Sequence, residues 1–150
     1  MATKQTQHEI IHTLNKQIAN WNVLFVKLHH YHWFVKGPQF FTLHLKFEEL
    51  YTEAALHIDV LAERVLAIGG KPLAKMTDYL AYASIHEAAG NEKAADMVSS
   101  IERDFRIMIA ELKKGMALAS ADHDETTSDA LLAIHTSLEK HVWMLASFNE

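Results

Sequence analysis

Two pairs of potential metal ligands stand four residues apart within one stretch of the chain. His44 is followed by Glu48, and Asp59 is followed by Glu63. On an α-helix a step of four residues returns to the same face about 5–6 Å further along. Each pair could therefore bind a metal ion from one side, or each could be an ordinary exposed pair on a helix surface.

The two pairs are too far apart to share one ion within a single straight helix. Their midpoints are separated by about 22 Å at a rise of 1.5 Å per residue, whereas bonds from imidazole or carboxylate to a metal measure about 2.0–2.2 Å. Either other helices of the same chain complete each pair, or two copies of the chain bring the pairs together. We favour two antiparallel copies meeting around a twofold axis near residues 53–54, because the ligands flank the core stripe of their helix. Such an interface forms two identical sites at once.

His32 is a further candidate ligand, which could join His44 and Glu48. It occupies a position in the apolar stripe of the preceding helix where a leucine would be expected, and such a histidine on its own is more often a hydrogen-bonded core residue. The complete set would contain two histidines and three carboxylates. That combination suits iron, manganese or zinc, whereas a set of oxygen ligands alone would indicate magnesium or calcium.

Composition narrows the class of protein. The chain has 150 residues, of which 49% are apolar, with only 5 Gly and 2 Pro, so we expect a single domain, residues 1–150, built from long regular elements. A net charge of -5 gives no electrostatic reason to expect nucleic-acid binding. The absence of cysteine excludes disulfides and thiolate metal sites. The polar first residues and the lack of long apolar runs predict a cytoplasmic protein with no membrane span.

Apolar residues recur every three or four positions, which predicts four long helices. The first three are predicted over about residues 6–35, 40–68 and 92–119. Gly37-Pro38 ends the first helix and Gly69-Gly70 ends the second, because proline breaks the hydrogen-bond ladder and glycine favours helix ends.

Two smaller features complete the predicted fold. Thr77 is expected to cap a short helix that extends to Ala83. Thr126 and Asp129 resemble a capping box at the start of the fourth long helix. The fold class is therefore all-α, a four-helix bundle with a short extra helix between the second and third helices.

Several short motifs occur at fixed separations between about Asn15 and Phe148. They are His32-Trp33, Gly37, Phe40 or Phe41, Leu43-His44, Asp59, Ala62-Glu63-Arg64, Gly69-Gly70 and Lys140-His141-x-Trp143-Met144. With these motifs the chain resembles the Dps family, the ferritin-like miniferritins, and especially its short-tailed Gram-positive members. Many relatives carry Asp at the position of Glu48, which keeps the charge but moves the oxygen atoms by about one methylene.

The resemblance implies a fold, an assembly and an activity. It implies a dodecamer of ferritin-like four-helix subunits that encloses a hollow core, with ferroxidase sites at the twofold interfaces. Family members oxidise Fe(II), preferably with hydrogen peroxide, and store the ferric mineral inside, which protects against oxidative damage. The implied iron ligands are His32, His44 and Glu48 of one subunit with Asp59 and Glu63 of its neighbour.

The resemblance also assigns expectations to other residues. Trp33 would lie near the iron site, where its aromatic ring could intercept stray oxidising equivalents. The acidic loop before the fourth long helix would line a threefold pore that draws cations inward. Glu125 and Asp129 are the main candidates for that pore, with Asp122 and Asp124 at its mouth.

Two other functions remain as alternatives. One is a nucleoid-associated, DNA-compacting protein, but family members that bind DNA directly often use a lysine-rich tail, and only Lys4 precedes the first predicted helix. We therefore do not expect direct DNA binding. The other is a structural metal-binding bundle, for example for zinc, without turnover.

Overall fold

The computed structural model describes residues 3–150, which form five α-helices and no β-strand. The helices are α1 (Lys4–Phe34), α2 (Phe40–Ala67), α3 (Met76–Tyr82), α4 (Ala94–Ala121) and α5 (Glu125–Phe148). The predicted all-α fold, with a short helix between the second and third long helices, is confirmed. The long helices begin and end within two residues of the predicted positions, which is the usual uncertainty at helix ends. Among these residues, no helix has the length and apolar character needed to cross a membrane.

A tight reversal joins α1 to α2 and places the end of one helix beside the start of the other. α1 ends at Phe34 and α2 begins at Phe40. Gly37 lies between them with φ 110°, a backbone conformation that residues with a Cβ atom rarely adopt. The reversal brings the last turn of α1, which contains His32, against the second turn of α2, which contains His44.

The core lies between the four long helices and is formed by one apolar stripe from each. The apolar period of the sequence predicts a core stripe along α2 that consists of Leu43, Phe47, Leu50, Ala54, His57, Leu61, Val65 and, just after the helix, Ile68. All of these residues are buried except His57 and Ile68, which are half-buried. Phe47 has no exposed surface, and replacing such a side chain with Ala typically costs about 3–5 kcal/mol of stability. The largest fully buried side chains are Trp21, Tyr31, Phe47 and Phe105.

Buried asparagines of α1 fix the long connection that contains α3. Asn15 donates from Nδ2 to the Lys71 carbonyl over 3.1 Å and accepts from the Leu73 backbone N–H over 3.0 Å. Asn20 accepts from the Ser84 backbone N–H over 2.8 Å. The connection therefore lies against α1. The prediction that Thr77 caps α3 is wrong, since α3 begins at Met76 and Lys75 is the preceding residue.

A buried ion pair joins α1 to α4. Lys27 Nζ lies 2.6 Å from Asp104 Oδ2 and donates to the His86 carbonyl over 2.8 Å. Burial raises the pKa of Asp104, while Lys27 opposes that rise. Loss of either partner would leave a charge buried without compensation, at a typical cost of about 3–5 kcal/mol. The ion pair thus ties α1, the helix that carries His32, to α4.

Candidate metal centre

His32 and His44 form a stacked pair at the reversal between α1 and α2. Their ring centroids are 3.7 Å apart and their planes differ by 12°. His32 is 7% exposed, and His44 is half-buried. Phe40 also stacks on the His44 ring, with centroids 5.0 Å apart. The prediction that these two histidines come together holds in this structure.

Each histidine of this pair is hydrogen-bonded to the backbone of the other. His32 Nδ1 lies 2.6 Å from the His44 carbonyl oxygen, and His44 Nδ1 lies 2.7 Å from the His32 carbonyl oxygen. A carbonyl oxygen can only accept, so each Nδ1 carries a proton and donates it. In the tautomer that donates from Nδ1, Nε2 is the ring nitrogen left for a metal ion, and backbone-anchored histidines commonly bind metals in this way.

Glu48 lies one turn beyond His44 on α2 and is exposed. Its Oε1 accepts a hydrogen bond of 3.3 Å from the hydroxyl of Tyr51. Burial and then the negative charge of Glu48 raise the pKa of Tyr51. Across residues 3–150, however, no three histidine or acidic side chains are close enough together to bind one metal ion. Within the described residues, His32, His44 and Glu48 therefore do not form a three-ligand group by themselves.

Asp59 and Glu63 are exposed on the same helix, beyond its midpoint. Because α2 is continuous from Phe40 to Ala67, the pair lies about 22 Å along the axis from His44 and Glu48. Within one chain the two pairs remain separate, as the spacing predicted. The same exposed face of α2 also carries large apolar side chains, namely Phe41, Leu45, Leu56 and Leu66.

Aromatic side chains surround the histidine pair. His29 stacks on Tyr51 with centroids 3.8 Å apart, and the edge of Tyr51 meets His32 at 5.3 Å. Trp33 is 66% exposed, and its ring lies 5.3 Å from that of His29. Sequence reasoning assigned no role to His29 or Tyr51. The available signal was the spacing of Tyr51, which follows Glu48 by three residues and therefore lies on the same side of α2.

The carboxylates of the acidic loop and of the first turn of α5 are of two kinds, one paired within the chain and the others more accessible. Asp124 is the N-cap of α5, accepting from the Thr127 backbone N–H over 3.0 Å, and it pairs with Arg64 over 3.0 Å. Burial raises the pKa of Asp124, but hydrogen bonds from Thr127 and the charge of Arg64 outweigh it and lower the pKa. The predicted capping box of Thr126 and Asp129 is therefore wrong, because Asp124 performs the capping.

The remaining loop carboxylates are more accessible. Glu125 and Asp129 are exposed, and together with Thr126, Ser128 and Leu132 they line a shallow surface pocket. Asp122 is half-buried and follows the last residue of α4. Of the four predicted pore residues, only Asp124 is bound by an ion pair to its own chain in residues 3–150.

A second histidine cluster lies inside the bundle, where sequence reasoning did not place one. Glu53 accepts hydrogen bonds from His141 over 2.5 Å, from His57 over 3.1 Å and from Ser137. His141 Nδ1 is 3.4 Å from Lys46 Nζ. Burial would raise the pKa of Glu53, but the bonds from His141, His57 and Ser137 prevail and hold it well below the ordinary value of 4.5.

Comparison with known proteins finds a family and several similar chains. Residues 11–150 match the ferritin-like domain family. The chain is 62% identical over 140 residues to DNA protection during starvation protein 2 of Bacillus anthracis, covering 93% of this chain and 96% of that protein. A Dps protein from Bacillus brevis matches with a TM-score of 0.97 and 57% identity over 100% of both chains.

A more distant structure matches almost as well. The Dps protein of Vibrio cholerae O1 has a TM-score of 0.93 and 32% identity, over 97% of this chain and 92% of that one. It is described as a member of a broad superfamily of ferritin-like diiron-carboxylate proteins. High similarity in fold thus persists at low sequence identity.

Proposed function

The chain belongs to the Dps proteins of the ferritin-like family, and we propose that it is a ferroxidase that stores iron. The substrate is Fe(II), the preferred oxidant is hydrogen peroxide, and the site is shared by two copies of the chain. The ferric product is held as a mineral in a hollow oligomer, a dodecamer, in the cytoplasm. This activity protects against oxidative damage by removing both reactants of radical chemistry.

The observation that carries the proposal is the backbone-anchored pair of His32 and His44. Both rings donate from Nδ1 to a carbonyl, so both present Nε2 to a metal without a further choice of tautomer. Neutral imidazole and carboxylate ligands together suit iron. The carboxylates contribute negative charge, which favours the ferric product over the ferrous substrate.

The partner copy is proposed to contribute Asp59 and Glu63. These carboxylates share their exposed helix face with Leu45, Leu56 and Leu66, and several large apolar side chains exposed on one face commonly mark a protein interface. In an antiparallel pair of α2 helices, each histidine pair would meet the carboxylate pair of the other copy, giving two identical sites. At the level of the axis Glu53 and Ala54 face inward, so Thr52 and Ala55 would line the contact.

The proposed reaction needs two ferrous ions for each peroxide. Two Fe(II) ions supply one electron each, and hydrogen peroxide with two protons becomes two water molecules. A pair of electrons delivered in this way avoids the one-electron cleavage that releases hydroxyl radical. Trp33, which lies beside His29, is proposed to reduce any stray one-electron oxidant formed at the site.

Cations are proposed to reach the interior through pores lined by the acidic loop. Glu125 and Asp129 are exposed, and repeating them around a threefold axis would concentrate negative charge and attract Fe²⁺. Asp122 is proposed to lie at the mouth. Asp124 contributes charge there, although its carboxylate is already engaged by Arg64 and Thr127.

An anaerobic titration with Fe²⁺, followed by peroxide or by air, tests this proposal. We expect fast growth of ferric absorbance beyond the number of sites, with about one peroxide consumed per two irons. Equal rates with air would identify an iron store without a peroxide preference. If neither oxidant exceeds the protein-free control, or if absorbance stops at the number of sites, the bundle binds metal structurally and the proposed activity is wrong.

DNA binding is a second candidate because relatives carry the name DNA protection during starvation protein. The exposed surface of α4 carries Arg103, Arg106, Lys113 and Lys114, which could contact phosphates. The net charge of -5 opposes such binding, and removal of iron and peroxide would protect DNA without contact. A gel-shift assay at low salt distinguishes the two, since unretarded DNA excludes a direct complex.

A further inference from the structure

Tyr51 is held in a defined position beside the histidine pair. Its ring stacks on His29 with an interplanar angle of 20°, and its edge-to-face contact with His32 has an angle of 83°. His29 is itself anchored, because its Nδ1 lies 2.7 Å from the Phe25 carbonyl oxygen and must donate to it. The phenol therefore has little freedom to move relative to the two histidines.

The hydroxyl of Tyr51 acts on one atom of a proposed ligand. It donates to Oε1 of Glu48 over 3.3 Å, three residues earlier on α2. Glu48 is exposed, and a glutamate side chain with several rotatable bonds loses conformational freedom when it binds a metal ion. A donor that already restrains the carboxylate reduces this loss, and it leaves Oε2 available to the ion.

We propose that Tyr51 is a positioning residue that holds the Glu48 carboxylate toward the proposed iron site. The inference rests on the proposed function, since it takes Glu48 as a ligand of the ion that His32 and His44 bind. Tyr51 does not contact the ion in this account. It acts through Glu48, as groups that hydrogen-bond to a ligand commonly do.

Two substitutions, one a test and one a control, measure what the Tyr51 hydroxyl contributes apart from its ring. Tyr51→Phe removes only the hydrogen bond and retains the stacking on His29. Tyr79→Phe is a matched control, because the Tyr79 hydroxyl donates over the same 3.3 Å to the Leu73 carbonyl, away from the histidine pair. Anaerobic Co²⁺, whose visible absorption depends on its ligands, serves as the probe of the assembled protein.

We expect Tyr51→Phe to weaken Co²⁺ binding about tenfold and to change its absorption spectrum, whereas Tyr79→Phe changes neither. In Fe²⁺ oxidation, Tyr51→Phe should raise KM with little change in kcat, because the defect is in holding a ligand at low iron concentration. In a Glu48→Ala background, Tyr51→Phe should have no further effect, since the residue through which it acts is absent.

Two outcomes would overturn the inference while leaving the proposed function in place. One is wild-type Co²⁺ binding in Tyr51→Phe, and the other is an equal loss in the Glu48 and Glu48→Ala backgrounds. Either outcome counts against the inference when His32→Ala abolishes Co²⁺ binding, because that loss shows that Co²⁺ binds at the proposed site. If His32→Ala binds Co²⁺ as the wild type does, the proposed site itself is wrong. Unchanged helical circular dichroism and unchanged oligomer size in Tyr51→Phe confirm that the fold is intact.

Discussion

The chain contains two pairs of histidines that differ in their hydrogen-bond partners, an inner pair beside Glu53 and an outer pair at the reversal between α1 and α2. In the inner cluster, His57 and His141 direct their Nε2 atoms to Glu53, a carboxylate of the same chain. In the outer pair, His32 and His44 direct Nδ1 to backbone carbonyls. Within residues 3–150, the outer Nε2 atoms form no hydrogen bond, so they remain available to a ligand from outside the chain.

The comparison suggests a criterion for telling a structural histidine from a candidate metal ligand. The criterion is the group to which each ring nitrogen is hydrogen-bonded. A carboxylate inside the bundle accepts the inner protons and joins α2 to α5, which stabilises the fold. A backbone carbonyl accepts the outer protons and only orients the rings. Burial does not distinguish the clusters, since His32 is 7% and His141 is 6% exposed. Four substitution experiments test whether the two clusters differ in this way.

Replacing both outer histidines should have the largest effect on activity. The double variant His32→Ala with His44→Ala should oxidise Fe²⁺ at least about 100-fold more slowly than the wild type, because both nitrogen ligands are lost. Stopped-flow ferric absorbance after addition of peroxide measures the rate. A rate within twofold of the wild type would show that the outer pair has no part in oxidation.

Replacing the inner carboxylate should instead affect stability. Glu53→Gln removes the charge that His57 and His141 contact, and we expect the free energy of unfolding to fall by about 2–4 kcal/mol. Urea denaturation at fixed protein concentration measures this change. Oxidation per folded subunit should stay at the wild-type rate. A large loss of rate with unchanged stability would reverse the assignment of the two clusters.

The pH dependence of stability should also identify the inner cluster. The pKa of Glu53 is lower in the folded chain than its ordinary value of 4.5, so the unfolded chain takes up the proton first as the pH falls. The stabilisation is complete above about pH 5 and is lost progressively below it. The stability gap between wild type and Glu53→Gln should therefore narrow from about pH 5 to pH 3. A constant gap would exclude the carboxylate as its cause.

Replacing the loop carboxylates should have the smallest effect, and it should distinguish the exposed Glu125 and Asp129 from the paired Asp124. Glu125→Gln with Asp129→Asn should slow iron uptake about threefold at low salt and less at high salt, because screening weakens attraction to the pore. Asp124→Asn should slow uptake less than the double variant does, because its carboxylate is already paired with Arg64. It should lower the free energy of unfolding by up to about 1 kcal/mol, because Asn still caps the helix but the ion pair is lost. Equal uptake by the double variant and the wild type would count against the pore.

Much of the fold could be predicted from the sequence because local rules determine it. The three-to-four residue period and the breaks at Gly37-Pro38 and Gly69-Gly70 indicated the long helices. The cap of α5 was mispredicted because the loop contains several residues able to cap, and the long-range ion pair of Asp124 with Arg64 is not visible in the local sequence.

The proximity of His32 and His44 was predictable from the sequence, but the hydrogen bonds that anchor their rings were not. Ligand spacing on α2 placed His44 with Glu48, and Asp59 with Glu63. The reciprocal bonds of His32 and His44 depend on how closely two helices approach at a reversal, and the sequence does not encode that distance locally. For the same reason Glu53 gave no sign of lying between two histidines, since His141 is 88 residues away.

Co-assembly of two inactive variants tests the shared site most directly. One variant carries His32→Ala and His44→Ala, and the other carries Asp59→Ala and Glu63→Ala. Each pair of unlike subunits would contain one intact site, formed by the histidines of the second variant and the carboxylates of the first. An equal mixture, refolded together, should therefore recover about a quarter of wild-type peroxide-dependent oxidation. A mixture no more active than the average of its two components would contradict a site shared between copies.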